Sequence, residues 1–167
     1  MTPGGTFLDV QVEVVRSPRR RRTVQARQIG ELVRITIPAT MTKVEEDRWV
    51  AEMVRRIERH QQTAEIDITE RALDLARRYH LPVPNDVRWV DNQQFRWGSC
   101  TPIDGSIRIS SRIAAFPAWV LDYVLVHELA HLEIPQHDRR FWALVDRYPR
   151  SERARGYLLA KETEATA

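Results

Sequence analysis

His127, Glu128 and His131 stand in the order His-Glu-x-x-His within the run VHELAH. On a helix, residues four apart lie one turn apart on the same face, so both imidazoles can point at one metal ion. Glu128, adjacent to His127, can then reach a water held by that ion. Two neutral nitrogen donors and a carboxylate base are what a zinc-activated water needs to attack a carbonyl carbon. Three of the five histidines, His127, His131 and His137, fall within residues 127–137. A catalytic zinc takes three protein ligands and keeps one position open for water. His137 is the nearest third ligand, because Pro135 should end the helix and let the chain turn back. The other common arrangement, two histidines plus a glutamate from a later helix, nominates Glu152.

The elements that must hold these groups read as follows. Residues 8–15 and 32–37 alternate polar and apolar, the period of half-buried strands. With an arginine-rich stretch and Gly30 between them, they suggest an N-terminal antiparallel sheet. Thr42 and Glu45 form a capping-box pattern, and Val50, Met53, Val54 and Ile57 recur at helical spacing, so a helix is expected over 43–60. Thr69 caps a second, shorter helix through Tyr79, stopped by Pro82 and Pro84. Short strand-like pieces follow at 87–90, 95–100 and 106–110, the last two joined by an Asp104-Gly105 turn. Pro117 suits the first turn of the helix over 119–132 that carries the histidines. Phe141, Trp142, Val145 and Tyr148 mark another helix, and Ser151 caps a final one reaching Lys161. The expected organisation is a single domain over 1–167. It has antiparallel strands within 1–38, helices within 43–80, and a small sheet, the metal-binding helix and C-terminal helices within 86–162.

At 167 residues, with 43% hydrophobic and 29% charged residues, the composition is that of an ordinary globular protein. Residues 1–15 lack the apolar core of a secretory signal, and no apolar run approaches the length that spans a bilayer, so no membrane is expected and the cytoplasm is the expected location. A lone cysteine, Cys100, excludes an intrachain disulfide and an all-cysteine zinc knuckle. It reads as a small buried apolar group, and Trp97, Trp119 and Trp142 read as core. The net charge of +3 says little, but Arg16, Arg19, Arg20, Arg21, Arg22 and Arg27 crowd one stretch that could contact the phosphates of a nucleic acid. Asp122, Glu133 and Asp138 are the carboxylates that could orient the zinc-bound histidines. Tyr148, Tyr157 and several arginines stay open as the group that stabilises the tetrahedral intermediate.

Ile134 stands where metzincins carry glycine, and Met1, Met41 and Met53 all precede the motif, which excludes that arrangement. Arg96-Trp97-Gly98-Ser99-Cys100, Ile107-Arg108-Ile109, Val124 to Leu132, and His137 with Phe141-Trp142 resemble the YgjP-like metallopeptidase domain, a family related to the SprT-like zincins. The resemblance is strongest over 95–149, and residues 16–23 are similar to the family's N-terminal hairpin. It implies an α+β, zincin-like fold: a small antiparallel or mixed sheet packed on the HExxH helix, with an N-terminal β-hairpin sheet. It also implies that His127, His131 and His137 bind Zn2+ and that Glu128 is catalytic, with a protein or peptide substrate. Family members often carry serine where Asp138 stands and asparagine where Ser110 or Ser111 stands. The resemblance to zincins also suggests that strand 106–110, if it is an edge strand beside the site, could pair with an extended peptide by β-augmentation. The competing reading is a nucleic-acid-associated module with a structural zinc, or a peptidase recruited to DNA-bound proteins. A structural site would want a fourth ligand and would have no use for Glu128.

Overall fold

The computed structural model describes residues 11–93 and 95–166, with the side chains of 164–166 left aside. Residues 8–10 of the predicted strand 8–15 lie outside them. The chain packs as two compact units, Met1–Glu58 and Arg59–Ala167. No helix among the described residues is long and apolar enough to cross a membrane.

The first unit is a three-stranded sheet on a helix. β1 (Gln11–Ser17), β2 (Gln25–Ile29) and β3 (Leu32–Pro38) lie in the order β1-β3-β2. β3 takes the centre because Val33, Ile35 and Ile37 are wholly buried, while the edge strands are mostly polar and exposed. Each such buried aliphatic side chain contributes about 1.5–3 kcal/mol. The antiparallel pairing expected between the strands at 8–15 and 32–37 is corrected: β1 runs parallel to β3, with Gln11 opposite Leu32 and Ser17 opposite Pro38. The connector 18–24 carries the chain past β3's position to β2, which pairs antiparallel with β3 across Gly30-Glu31. Gly30, at φ 61°, meets the left-handed requirement of that two-residue turn.

α1 (Lys43–Ala64) opens on the expected capping box. The Thr42 N–H donates to Glu45 Oε2 at 2.9 Å and the Glu45 N–H to Thr42 Oγ1 at 3.3 Å. Those backbone and hydroxyl donors hold the Glu45 carboxyl below its ordinary range. Val50, Met53, Val54 and Ile57 pack on the three buried residues of β3. Arg16 bonds Glu46 and the carbonyls of Ala39 and Met41, which ties β1 to the start of the helix.

The second unit is built around α3 (Ala118–His131), whose residues from Val120 to Ala130 are nearly all buried. Apolar residues all round a helix call for cover on every side. α2 (Ile68–Tyr79), α4 (Arg139–Val145), α5 (Ser151–Thr166) and the strands β5 (Gly98–Thr101) and β6 (Ser106–Ser110) supply it. With β4 (Asp86–Val90) these strands form a sheet in the order β4-β6-β5, β4 parallel and β5 antiparallel to β6. β6 is therefore the central strand, so the condition for pairing a peptide along 106–110, an edge position, is not met. Ile107 and Ile109 are wholly buried, and that burial on the core side draws this strand inward. The edge strands are β4 and β5.

Asp67, not Thr69, caps α2, accepting from the Glu70 N–H at 2.9 Å, while Thr69 donates to the Val87 carbonyl at 3.3 Å. His80 closes the same helix in the left-handed region, φ 51°. Arg147 holds that end by donating to the carbonyls of Tyr79 and His80.

Candidate metal centre and its cavity

The last turns of α3 present His127 and His131 on one face, as their spacing dictates. Leu132 ends the helix, and the chain turns through Pro135 to bring His137 back. Asp138 stops that turn by capping α4, accepting from the N–H groups of Arg140 at 2.9 Å and Phe141 at 3.0 Å. These bonds hold its carboxyl below the ordinary range. Serine, which members of the resembled family often carry here, is an equally good cap, so this departure preserves the local structure.

His137 Nε2 lies 3.1 Å from both His131 Nε2 and His127 Nε2, and one ring nitrogen of each histidine falls within 4.8 Å of the others. Nitrogen donors placed ~2.0–2.1 Å from a tetrahedral ion sit about 3.3 Å apart, close to the two separations through His137. His131 Nδ1 lies 3.1 Å from the Ile134 carbonyl; as donor there, it leaves Nε2 bare for a metal. His127 Nδ1 is buried without a partner among the described residues. Burial, then the charges of His131 and His137, then Arg155, push the His127 imidazole down to about 3, and burial first of all lowers His131. Both shifts favour the neutral imidazole, the form that ligates a metal.

The carboxylates expected to orient the histidines do other work. Asp122 pairs with Arg71 at 2.6 Å, Asp138 is a helix cap, and Glu133 is exposed. A backbone carbonyl replaces them. The rings are held by aromatics instead. Phe141, wholly buried, stacks on His131 with centroids 4.4 Å apart, and Trp142 stacks on His137 at 5.6 Å. Trp142 is therefore part of the site, whereas Trp119 packs on Tyr157 away from it. Glu152 lies outside the cluster, 83% exposed and bonded to Arg155.

Glu128 is only 6% exposed. Burial pushes its carboxyl up to about 8, against the opposing charge of Arg96. It rests on Gly98 of the edge strand: a Cβ there would fall 2.7 Å from Glu128 Oε1 and 2.9 Å from Cγ. A cavity of about 850 Å³ opens over the histidines and Glu128, lined by β5 and the residues before it, by α3, and by Arg155, Leu158, Leu159 and Glu162 of α5. Cys100 lines it as well, half-buried, its thiol pushed up to about 11 mainly by burial.

The sequence singled out the three histidines and Glu128, and the structure brings all four together. It did not single out the role of Gly98 or choose Arg155. Gly98 carried a signal, a glycine within a strand-like run, which marks close backbone approach. Arg155 carried none.

The buried carboxyl has a consequence for the chelator-treated protein. Glu128 binds its proton more tightly folded, near 8, than unfolded, near 4.5, so its contribution is lost as pH rises. His127 acts oppositely, but only below its ordinary 6.5. The thermal midpoint of the metal-free chain should fall between pH 6.5 and 8, and Glu128→Gln should flatten that slope. An unchanged slope in the variant would show that Glu128 is not buried in this way.

A mixed sheet, a buried histidine-bearing helix and a three-histidine cluster beside a buried carboxyl make the chain similar to metal-dependent peptidases. The YgjP-like metallopeptidase domain family matches residues 24–160, and the chain belongs to that family. The fold also matches the crystal structure of the metallopeptidase zymogen of Pyrococcus abyssi abylysin, with TM-score 0.51 and 19% identity over 56% of this chain and 93% of that one. No curated protein gives a match. The chain is thus a metallopeptidase by family.

Proposed function

We propose that this protein is a zinc-dependent peptidase that hydrolyses peptide bonds with Glu128 as general base. The observation that carries the reading is the convergence of His127, His131 and His137 nitrogens beside a buried carboxylate in an open cavity. Three imidazoles suit zinc by donor type and leave a position for water. Zinc held there would supply a Lewis acid that lowers the pKa of water and polarises the scissile carbonyl.

The chain's own residues do the rest. Glu128 accepts the proton of the attacking water and hands it to the departing amine. The free edge of β5, which lines the cavity, takes over the β-augmentation role that the sequence suggested for residues 106–110, and would hold a substrate extended. The test is hydrolysis of a mixed peptide library by protein carrying one zinc, stopped by chelator and restored by zinc. A fully loaded protein that cleaves nothing would sink the reading.

Gly98 offers a finer check. Gly98→Ala places a methyl group against the Glu128 carboxyl, and a base displaced by about 1 Å costs roughly 10²-fold in rate. Loss of turnover with zinc retained is the expected result; wild-type turnover would mean that the carboxyl moves aside freely.

A second reading rests on the first unit. Arg19, Arg21 and Arg22 are exposed in the connector 18–24, and Arg27 of β2 stands directly opposite Arg34 of β3, both exposed. Like charges placed opposite one another are unfavourable unless a partner neutralises them, and Arg34 already meets Glu13 at 2.6 Å. Arg16 is taken by Glu46, and Arg20 bonds Thr23 and Gln25. A phosphate-binding role would therefore fall to Arg19, Arg21, Arg22 and Arg27. Affinity for DNA should then decline steeply with salt, with a slope shallower by about one for each arginine neutralised. Binding that ignores these substitutions would end this reading.

A further inference from the structure

When water adds to an amide, negative charge gathers on the former carbonyl oxygen, and a donor already fixed beside it lowers the barrier. The structure removes both tyrosines that the sequence left open for this role. Tyr148 is buried and donates to the Trp119 carbonyl at 3.0 Å. Tyr157 packs edge-on against Phe116 and Trp119. Neither lines the cavity. The Trp97 indole N–H does, but donates to Glu162 at 2.9 Å.

Two guanidinium groups remain on the cavity wall, Arg96 and Arg155. Arg96 is exposed on the segment leading into β5. Arg155 is anchored. Its Nη1 donates to Glu152 Oε1 at 2.8 Å, and its guanidinium lies 4.6 Å from the centre of the Trp142 ring, which itself stacks on His137. One of five N–H donors is used in that ion pair, and the planar fork suits an oxyanion. An anchored cation one ring away from a metal-site histidine meets the requirement for preorganisation.

We propose that Arg155 receives the negative charge that develops on the scissile carbonyl oxygen, and is thus a catalytic residue of this site. The proposal rests on the peptidase reading above. As the water oxygen bonds to the carbonyl carbon, the π pair of the carbonyl moves onto its oxygen, facing Arg155, while Glu128 takes the water's proton. When that pair returns, the C–N bond breaks and the amine leaves with the proton from Glu128. The sum is peptide plus water to acid plus amine.

The experiment uses zinc-loaded wild type, Arg155→Gln, Arg155→Lys and Tyr123→Phe, the last because Tyr123 places a phenol on the cavity wall. It measures kcat and KM on a cleaved peptide, and calorimetric affinity for a phosphinic peptide, an uncleavable anionic mimic of the tetrahedral species. Arg155→Gln should lose about 10²–10³ in kcat with KM within a few-fold, zinc retained, and phosphinate affinity reduced by a comparable factor. Arg155→Lys, which keeps the charge, should recover part of both and covers the case in which the glutamine variant misfolds. Wild-type kcat and phosphinate affinity in Arg155→Gln, or a loss carried by Tyr123→Phe alone, would overturn the proposal. A wild type that cleaves nothing defeats the peptidase reading, and the phosphinate titration then decides separately whether Arg155 binds an anion in the cavity.

Discussion

Glu128→Gln, loaded with zinc, should keep its fold and its metal while losing about 10²–10⁴ in turnover, the usual contribution of a positioned base. The substitution is nearly isosteric, so the amide occupies the same space against Gly98. It leaves the three imidazoles untouched. What disappears is an acceptor for the water's proton. The measurement is kcat alongside zinc content by elemental analysis. Wild-type turnover on an identified substrate would show that another group takes the proton, and loss of zinc would show that the carboxyl supports the metal rather than the water.

His137→Ala should abolish tight zinc binding. The other two ligands come from one helix, but His137 alone closes the cluster, lying 3.1 Å from each of its partners. Loss of a group behind a ligand costs 10–100-fold in metal affinity, and loss of the ligand itself should exceed that. Glu152→Ala should leave zinc in place, because Glu152 lies outside the cluster and is largely exposed. Zinc titration with a chromophoric competitor distinguishes the two. The reverse pattern would make Glu152 the third ligand.

The metal cluster was legible because its information is local. His127 and His131 are one helical turn apart, Glu128 adjoins them, and Pro135 forces the return that delivers His137. The capping box at Thr42 and Glu45 and the turn at Asp104-Gly105 were legible for the same reason. Elements whose form depends on distant neighbours were not. β2 reads as polar connector because an edge strand buries little, and only its pairing with β3 makes it a strand. The insertion of β3 between β1 and β2 follows from which strand is most apolar, a comparison that no single window of sequence contains. Gly98 and Arg155 enter the site from other elements, so their roles exist only once β5 and α5 lie beside α3.

The burial of α3 on all sides has a further meaning for the metal. In a zinc finger the ion organises a chain that cannot fold without it. Here Leu121, Leu125, Val126 and Leu129 are already enclosed, and the histidines project from a helix that the hydrophobic core holds in place. A scaffold enclosed in this way does not depend on a metal for its core. The chain should therefore stay folded when chelator removes a metal from the cluster, and far-UV circular dichroism before and after chelation would check that.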